Sequence, residues 1–172
     1  MKMKIMVTGG SGFIGSNFIH YLLTDPEIKE EAYILNVDAL TYAGRGKNIL
    51  HMFLASKNKT FLRRYRFVRA DIRNFKKINR IVRRFKPDYI VNCAAESHNS
   101  LAIVKPRIFF QTNVLGTQNL LEAARKNNVR RFHHISTCEV YGDLALDSQE
   151  TFSEDSPYKP NTPYNASKAA AD

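Results

Sequence analysis

A run of glycines near the start of the chain is the first group of residues with recognisable chemistry. Gly9, Gly12 and Gly15 stand in the segment TGGSGFIG, between a short apolar run and a periodic apolar stretch. Glycine permits the tight turn at the first position, close approach of a pyrophosphate at the second and helix–sheet packing at the third. The helix that follows would present free N–H groups to an anion. The segment therefore predicts a dinucleotide site, with a purely structural glycine turn as the alternative.

An acidic residue stands where the second predicted strand ends. Asp38 could accept hydrogen bonds from both hydroxyls of an adenosine ribose, and its charge would repel the 2′-phosphate of NADP. Arg45 lies close in sequence and keeps NADP as a second possibility. Residues 4–38 are therefore predicted to hold NAD across the end of a strand and the start of a helix.

A tyrosine and a lysine near the end of the chain could perform acid–base chemistry. Tyr164 and Lys168 are four residues apart, which places them on one face of a predicted helix. The ammonium would lower the pKa of the tyrosine from its ordinary value of about 10 toward neutrality, making it a general base. Thr137, at a predicted strand end, could bind the same substrate oxygen. A tyrosine and a lysine at this spacing are common in proteins. The pair becomes a specific indication of a catalytic site when it follows a glycine-rich cofactor turn.

The apolar pattern supplies the elements that would position these groups. Short apolar runs predict strands at 5–7, 33–37, 65–68, 89–93 and 132–136, and periodic stretches predict helices at 13–23, 75–85 and 109–125. Residues 49–62 are predicted to be partly helical, and 143–163 to form a polar loop. Strands separated by helices indicate a parallel sheet with helices on both faces. The predicted class is α/β, of the Rossmann type.

The last predicted helix runs to the end of the sequence. Asn161 or Thr162 would cap it, with Pro163 at its first position. It reaches Asp172 without a stop signal, a pattern expected for the front part of a longer protein. Residues 1–172 are therefore interpreted as one NAD-binding domain truncated within the Tyr-Lys helix, with a substrate domain expected beyond it.

Composition and charge narrow the class of protein. Apolar residues make up 44% and charged residues 24%, which is ordinary for a globular domain. No apolar run approaches the roughly 18 residues of a membrane span, and no secretory signal is apparent, so a cytoplasmic protein is predicted. The net charge of +10 is concentrated between Arg63 and Lys86. An amphipathic helix with a basic outer face is favoured there over nucleic-acid binding.

The two cysteines predict free thiols rather than a disulfide. Cys93 and Cys138 are expected at buried strand ends in a reducing compartment. Neither has the spacing of a metal-ligand cluster, so no metal site is predicted.

Together these features resemble the extended short-chain dehydrogenase/reductase superfamily. Six segments are similar, more specifically, to the dTDP-glucose 4,6-dehydratases: 8–17 (TGGSGFIGSN), 38–44 (DALTYAG), 94–98 (AAESH), 111–121 (QTNVLGTQNLL), 132–144 (FHHISTCEVYGDL) and 156–170. The resemblance covers almost the whole chain but only about the first half of such an enzyme. It implies an NAD-dependent lyase of deoxysugar biosynthesis that converts dTDP-glucose to dTDP-4-keto-6-deoxyglucose, homodimeric when complete.

The resemblance also implies roles for individual residues. Tyr164, assisted by Lys168 and Thr137, would take the C4 hydroxyl proton while hydride passes to NAD. Glu139 would then remove the C5 proton, water would leave from C6, and hydride would return to C6. The implied cofactor contacts are Gly9, Gly12, Phe13, Ile14, Gly15, Asp38, Thr41, Asp71, Ile72, Ala94, Ala95, Ser97, Thr112, Tyr164 and Lys168.

Two positions depart from the pattern of these enzymes. Cys138 stands where the family usually carries the aspartate that protonates the departing hydroxyl, and a thiol is a poor hydrogen-bond donor. Residues 99–102 read Asn-Ser-Leu-Ala instead of Val-Asp-Arg-Ser. Both changes weaken the expectation of elimination and leave C4 oxidation intact. The alternatives are an NAD-dependent nucleotide-sugar 4-epimerase, which does not need Glu139, and a catalytically silent NAD-binding or nucleic-acid-binding module.

Overall fold

Five strands form one parallel sheet in the computed structural model, which describes residues 3–28, 31–49 and 61–172. The strands are β1 (Met3–Thr8), β2 (Ala32–Asp38), β3 (Tyr65–Arg69), β4 (Tyr89–Asn92) and β5 (Arg131–His134), in the order β3-β2-β1-β4-β5. All four neighbouring pairs are parallel. The chain leaves β1 toward β2 on one side and later returns to β4 on the other. Ligands bind at such a point of reversal, outside the carboxyl ends of the strands.

The register of the sheet aligns the segments that carry the predicted site. Val37 of β2 pairs with Thr8 of β1, Thr8 pairs with Asn92 of β4, and Asn92 pairs with His134 of β5. Four parts of the chain therefore begin at one edge of the sheet: the glycine turn, Asp38, Cys93 and the segment from Ile135.

Helices cover both faces of the sheet. They are α1 (Phe13–Thr24), α2 (Phe61–Arg64), α3 (Phe75–Phe85), α4 (Asn99–Val104), α5 (Pro106–Phe109), a π-helix (Phe110–Gly116), α6 (Thr117–Lys126), a 3₁₀ turn (Cys138–Tyr141) and α7 (Pro163–Ala169). Side chains cap the N-termini of two of these helices. Asn74 accepts a hydrogen bond from the Lys77 N–H of α3, and Thr162 accepts one from the Asn165 N–H of α7.

Alternating strand residues supply two separate cores. On one face, Met6 and Leu35 pack with Ile78 of α3 and Leu120 of α6. On the other face, Ile5, Val7 and Ile34 pack with α1, whose buried apolar residues are Ile19, Leu22 and Leu23. Successive strand side chains point to opposite faces, so a sheet covered on both sides has near-continuous apolar strands.

Most of the predicted elements are confirmed, and the differences lie at the site edge. β4 ends at Asn92 and β5 at His134, earlier than predicted, because the chain turns into the site after one further backbone hydrogen bond in each strand. The helix predicted at 109–125 is instead a continuous run of α5, the π-helix and α6. Helix α4 was not predicted. Most of the segment 49–62 lies outside the described residues. Among the described helices, none is long and apolar enough to cross a membrane.

The packing of α3 gives a stability prediction. Ile78 is fully buried between the sheet and α6. We expect Ile78→Ala to lower the free energy of unfolding by about 2–4 kcal/mol, because it removes buried apolar surface and leaves a cavity. Leu146 is fully exposed, so Leu146→Ala is the matched control and should change it by less than about 0.5 kcal/mol. Urea unfolding followed by circular dichroism measures both, and equal effects would contradict this packing.

Candidate active site

The glycine turn joins β1 to α1 by backbone contacts that leave no room for side chains. Gly9 has a φ of +68°, and a Cβ at Gly15 would lie 2.4 Å from the Gly9 carbonyl oxygen. Glycine tolerates both constraints without strain. Gly12 caps α1 without a side-chain hydrogen bond, so the first N–H groups of the helix remain available to a ligand.

Asp38 is fixed beside this turn. Its Oδ2 accepts a hydrogen bond from the Ser11 N–H at 2.9 Å, and its Oδ1 accepts from the Leu40 N–H at 2.7 Å. The carboxylate is 8% exposed and forms part of the wall of the groove above the turn. The end of β2 therefore presents an oriented negative charge next to the anion-binding end of α1.

A cavity of about 390 Å³ runs along the edge of the sheet over the glycine turn. Its volume lies within the range of small-molecule and cofactor sites. All the predicted cofactor contacts other than Tyr164 and Lys168 line it: Gly9, Gly12, Phe13, Ile14, Gly15, Asp38, Thr41, Asp71, Ile72, Ala94, Ala95, Ser97 and Thr112. Phe13 is 83% exposed, so the first turn of α1 offers apolar surface to a ligand. The structure thus brings together residues from five separate segments.

Three charged or polar residues at the cavity have no predicted role: Arg73 and Glu96 line it, and Tyr42 contacts Glu96. Arg73 binds the Asp71 carboxylate through Nε and Nη2, at 2.9 and 2.5 Å from Oδ2. Burial by itself would raise the pKa of Asp71, but the hydrogen bonds and charge of Arg73 outweigh it and lower that pKa. Glu96 is 6% exposed, and burial raises its pKa. The Tyr42 hydroxyl hydrogen-bonds to Glu96, which links the segment after β2 to the segment after β4.

A buried amide connects the cavity to the Tyr-Lys helix. Asn113 in the π-helix accepts a hydrogen bond from the Glu96 N–H at 2.8 Å and donates to the Glu96 carbonyl at 2.9 Å. It also donates to the Ser167 hydroxyl of α7 at 2.8 Å. The only signal in the sequence is a polar residue at the buried position of an apolar helical pattern, which the sequence analysis does not single out.

Tyr164 and Thr137 meet as predicted, and their hydroxyls share a hydrogen bond. Burial raises the pKa of Tyr164; the hydrogen bond from Thr137 opposes that increase, while the charge of Glu139 adds to it. The pKa of Tyr164 in the chain on its own is therefore raised, contrary to the prediction that it is lowered, and an effect of Lys168 on Tyr164 in the NAD-bound protein stays a prediction.

Lys168 is buried, and its ammonium has hydrogen-bond partners of its own. Its Nζ donates to the Ile135 carbonyl at 2.6 Å and lies 3.2 Å from His134 Nε2, so the ammonium faces the end of β5. The side chain is 3% exposed, and burial lowers its pKa. Cys93 lines the cavity. Burial raises the pKa of its thiol to about 11, and the charge of Lys168 opposes part of this increase.

Cys138 and Glu139 follow β5 in one short turn, and their side chains have different surroundings. Thr137 caps the 3₁₀ turn that contains both residues. Cys138 is exposed rather than buried at a strand end as predicted, because the strand has already ended at His134. Glu139 Oε2 accepts a hydrogen bond from Asn99 Nδ2 of α4 at 3.1 Å. The proposed acid and base positions are therefore both accessible near Tyr164.

The contact beneath the glycine turn gives a second prediction. Gly15→Ala would force its Cβ against the Gly9 carbonyl and the Gly10 Cα, at 2.4 and 2.8 Å. We expect a loss of about 1–3 kcal/mol in the free energy of unfolding, the usual effect of overpacking. Gly46 has no heavy atom within 4 Å of such a Cβ, so Gly46→Ala is the matched control and should be neutral or slightly stabilising. The same loss in both variants, measured by urea unfolding, would contradict the close approach.

Comparison with known proteins agrees with this architecture. A family model described as GDP-mannose 4,6 dehydratase matches residues 6–172. The dTDP-glucose 4,6-dehydratase of Mycobacterium tuberculosis (strain H37Rv) is 44% identical over 170 residues, which cover 99% of this chain and 47% of that protein. The enzyme of the same name from Haemophilus influenzae is 42% identical over 178 residues, which cover 98% of this chain and 49% of that protein.

Solved structures show the same relationship. The dTDP-glucose 4,6-dehydratase of Streptomyces venezuelae with NAD and TYD bound has a TM-score of 0.85 and 40% identity, over 98% of this chain and 49% of that one. The UDP-glucose 4-epimerase of Thermus thermophilus in complex with NAD has a TM-score of 0.79 and 32% identity, over 98% and 48%. Both comparisons confirm the predicted Rossmann-type fold.

The chain spans about half the length of the curated relatives it matches. A further substrate-binding domain therefore stays a prediction. The family model, in contrast, matches nearly every residue of the sequence, including the glycine turn and the Tyr-Lys helix. The chain belongs to the GDP-mannose 4,6-dehydratase family.

Proposed function

We propose that residues 1–172 bind NAD and that the whole protein is a nucleotide-sugar 4,6-dehydratase acting on dTDP-glucose. One observation carries this proposal: all the predicted cofactor contacts except Tyr164 and Lys168 line a single cavity at the edge of the sheet. The names of the relatives from Mycobacterium tuberculosis and Haemophilus influenzae support the substrate. The Streptomyces venezuelae enzyme, which was solved with NAD bound, supports the cofactor.

The residues at the cavity fit a dinucleotide. The backbones of Gly9 and Gly15 lie so close together that a Cβ on Gly15 would have no room. Helix α1 therefore begins directly after the turn, and its first N–H groups can bind a pyrophosphate. Asp38 would hold the hydroxyls of the adenosine ribose, and its charge favours NAD over NADP. Bound NAD would supply the acceptor and donor of the hydride.

Tyr164 is the proposed base for the C4 hydroxyl of the sugar. Thr137 already bonds the Tyr164 hydroxyl, and together the two can hold one substrate oxygen. Burial raises the pKa of Tyr164, which opposes its action as a base near neutrality. The buried ammonium of Lys168, one turn further along α7, is the charge proposed to offset this effect.

Glu139 and Cys138 are the proposed groups for the elimination. Glu139 would accept the C5 proton, which is acidic once C4 is a ketone, and Asn99 holds the carboxylate in place. Cys138 would donate a proton to the hydroxyl leaving C6, and its exposure leaves it within reach of a substrate. A thiol is a weaker donor than a carboxylic acid, so this step is expected to be slow.

A 4-epimerase is the second candidate, and Cys138 is the observation that favours it. Epimerisation at C4 needs the tyrosine and the cofactor but no acid at position 138. The Thermus thermophilus epimerase shares 32% of its residues with this chain. A catalytically silent NAD-binding module requires only the cavity.

A second copy of the chain is the proposed partner. Helix α4 exposes Ile103 and Val104, at 70% and 74%, and the π-helix exposes Phe110 and Leu115. Leu121 extends this apolar surface along α6. An apolar surface of this kind marks a protein interface, and pairing of the long helix with its copy would give a homodimer.

The basic face of α3 and the thiols bear on the surroundings of the protein. We propose that the cations of α3 form a solvated outer surface, because the inner side of this helix carries the buried residues Ile78 and Val82. A nucleic-acid site there is the less favoured alternative. Cys93 and Cys138 are both free, which fits a reducing, cytoplasmic location.

Binding of NAD can be tested on residues 1–172 directly. We expect Asp38→Asn to weaken NAD binding about 10-fold to 100-fold, because hydrogen bonds to a charged group contribute roughly 1.5–3 kcal/mol. Asp147 is exposed on the loop after the 3₁₀ turn, so Asp147→Asn is the matched control and should bind as the unchanged chain does. Calorimetric titration with NAD and NADP measures both. Tighter binding of NADP than of NAD would overturn the assignment of Asp38.

The proposed elimination is tested by Glu139→Gln in the whole protein. The amide can still accept a hydrogen bond from Asn99 but cannot take the C5 proton, so dehydration of dTDP-glucose should fall about 100-fold or more. Oxidation at C4 should persist, and the absorbance of the reduced cofactor measures it. Glu154→Gln, in the exposed loop, is the control. Unchanged dehydration would remove Glu139 from the mechanism, and dTDP-galactose as the product would favour the epimerase.

A further inference from the structure

A buried chain of polar side chains crosses the sheet from β1 to α7. Thr8 Oγ1 lies 2.6 Å from Asn92 Oδ1, and Asn92 Nδ2 lies 3.1 Å from His134 Nδ1. His134 Nε2 in turn lies 3.2 Å from Lys168 Nζ. Thr8, Asn92 and Lys168 are at most 3% exposed. A buried polar network is stable only when every donor meets an acceptor.

Lys168 determines which nitrogen of His134 must be free of hydrogen. An ammonium has three donors and no acceptor, and a buried one needs partners with lone pairs. Among the described residues, the acceptors in contact with Nζ are the Ile135 carbonyl at 2.6 Å and His134 Nε2 at 3.2 Å. Nε2 can serve only as a lone pair, which requires a neutral imidazole with its hydrogen on Nδ1.

Asn92 can fix that tautomer. Its amide oxygen and nitrogen are assigned from the surrounding hydrogen bonds, and exchanging them turns Oδ1 toward the Nδ1–H of His134. After the exchange, Nδ2 donates to the Thr8 hydroxyl, and Oδ1 also accepts from the Thr117 hydroxyl, which lies 3.1 Å from the amide. After the exchange, each of the three contacts of the Asn92 amide, with His134, Thr8 and Thr117, joins a donor to an acceptor.

The charges around His134 agree with a neutral ring. Burial lowers the pKa of His134, the neighbouring Lys168 and His133 lower it further, and Asp172 raises it. Asp172 Oδ1 lies 3.5 Å from Nε2, further away than the ammonium. The competing arrangement has the hydrogen on Nε2, where it would be donated to Asp172 and would leave the ammonium of Lys168 without the Nε2 lone pair.

We propose that His134 is a positioning residue for Lys168: Asn92 holds it in the Nδ1–H tautomer, and its Nε2 lone pair holds the ammonium at the end of β5. The consequence for catalysis rests on the proposed function, in which the charge of Lys168 acts on Tyr164. The tautomer itself does not depend on that function.

The tautomer can be read in the cofactor-free chain by NMR of labelled histidine, using the ring nitrogen shifts. We expect a neutral His134 with its hydrogen on Nδ1 at pH 7, and a change of this signal in Asn92→Leu. A hydrogen on Nε2, or a charged ring, would overturn the proposal. This measurement gives the same answer whether or not the chain binds NAD, so failure of the proposed function remains distinguishable.

The effect on Lys168 is tested by His134→Phe and His134→Gln in the whole protein. Phenylalanine keeps a ring beside Phe132 but has no lone pair, whereas the glutamine oxygen can accept from the ammonium. His133→Phe is the matched control, because that side chain points to the other face of β5, near Met3 and Ile5.

The readout is the pH dependence of C4 oxidation in a single turnover, with NAD affinity measured in parallel. A displaced ammonium leaves the pKa of Tyr164 higher, so the rising limb of the profile should move to higher pH. We expect His134→Phe to shift it by about one pH unit, with about a 10-fold loss at pH 7. Lys168 is also an implied NAD contact, so His134→Gln should restore both the profile and any NAD affinity that His134→Phe loses. A His134→Phe profile equal to that of His133→Phe, or no restoration by glutamine, would contradict the proposal.

Discussion

The structure depends on how closely the backbone of Gly15 approaches the carbonyl of Gly9. This contact lets α1 begin almost at the end of β1, so its unpaired N–H groups lie at the edge of the sheet. Any side chain at position 15 would push the helix away from the strand. The groove above the turn and the open end of the helix both follow from this close approach of two glycines.

The second organising constraint is the parallel register of the sheet. Thr8, Asn92 and His134 occupy matching positions on three neighbouring strands, so their polar side chains meet below the groove. The segments that continue from these strands then carry the turn, Cys93 and Thr137 to one place. Thr8 and Asn92, which are 84 positions apart in sequence, become neighbours because their strands end at one edge.

Local patterns were sufficient to predict the strands, most of the helices and the glycine turn. The reason is that periodicity, glycine spacing and caps act over a few residues, and these decide where β1 meets α1 or where α7 begins. The contacts of Glu96 with Tyr42 and of Asn113 with Ser167 were missed because each joins segments that no local pattern relates. The raised pKa of Tyr164 was missed because helical spacing shows that Lys168 is near but does not show that the Tyr164 hydroxyl is buried.

Asn113 restricts how this architecture can be altered. Its amide serves both the donor and the acceptor of the Glu96 backbone and also a hydroxyl on α7. Aspartate would set a carboxylate against a carbonyl, and leucine would leave the N–H and the carbonyl of Glu96 without this partner. A designer who transplants the Tyr-Lys helix to another sheet must therefore transplant this asparagine and the loop it binds, since the three segments form one inseparable module.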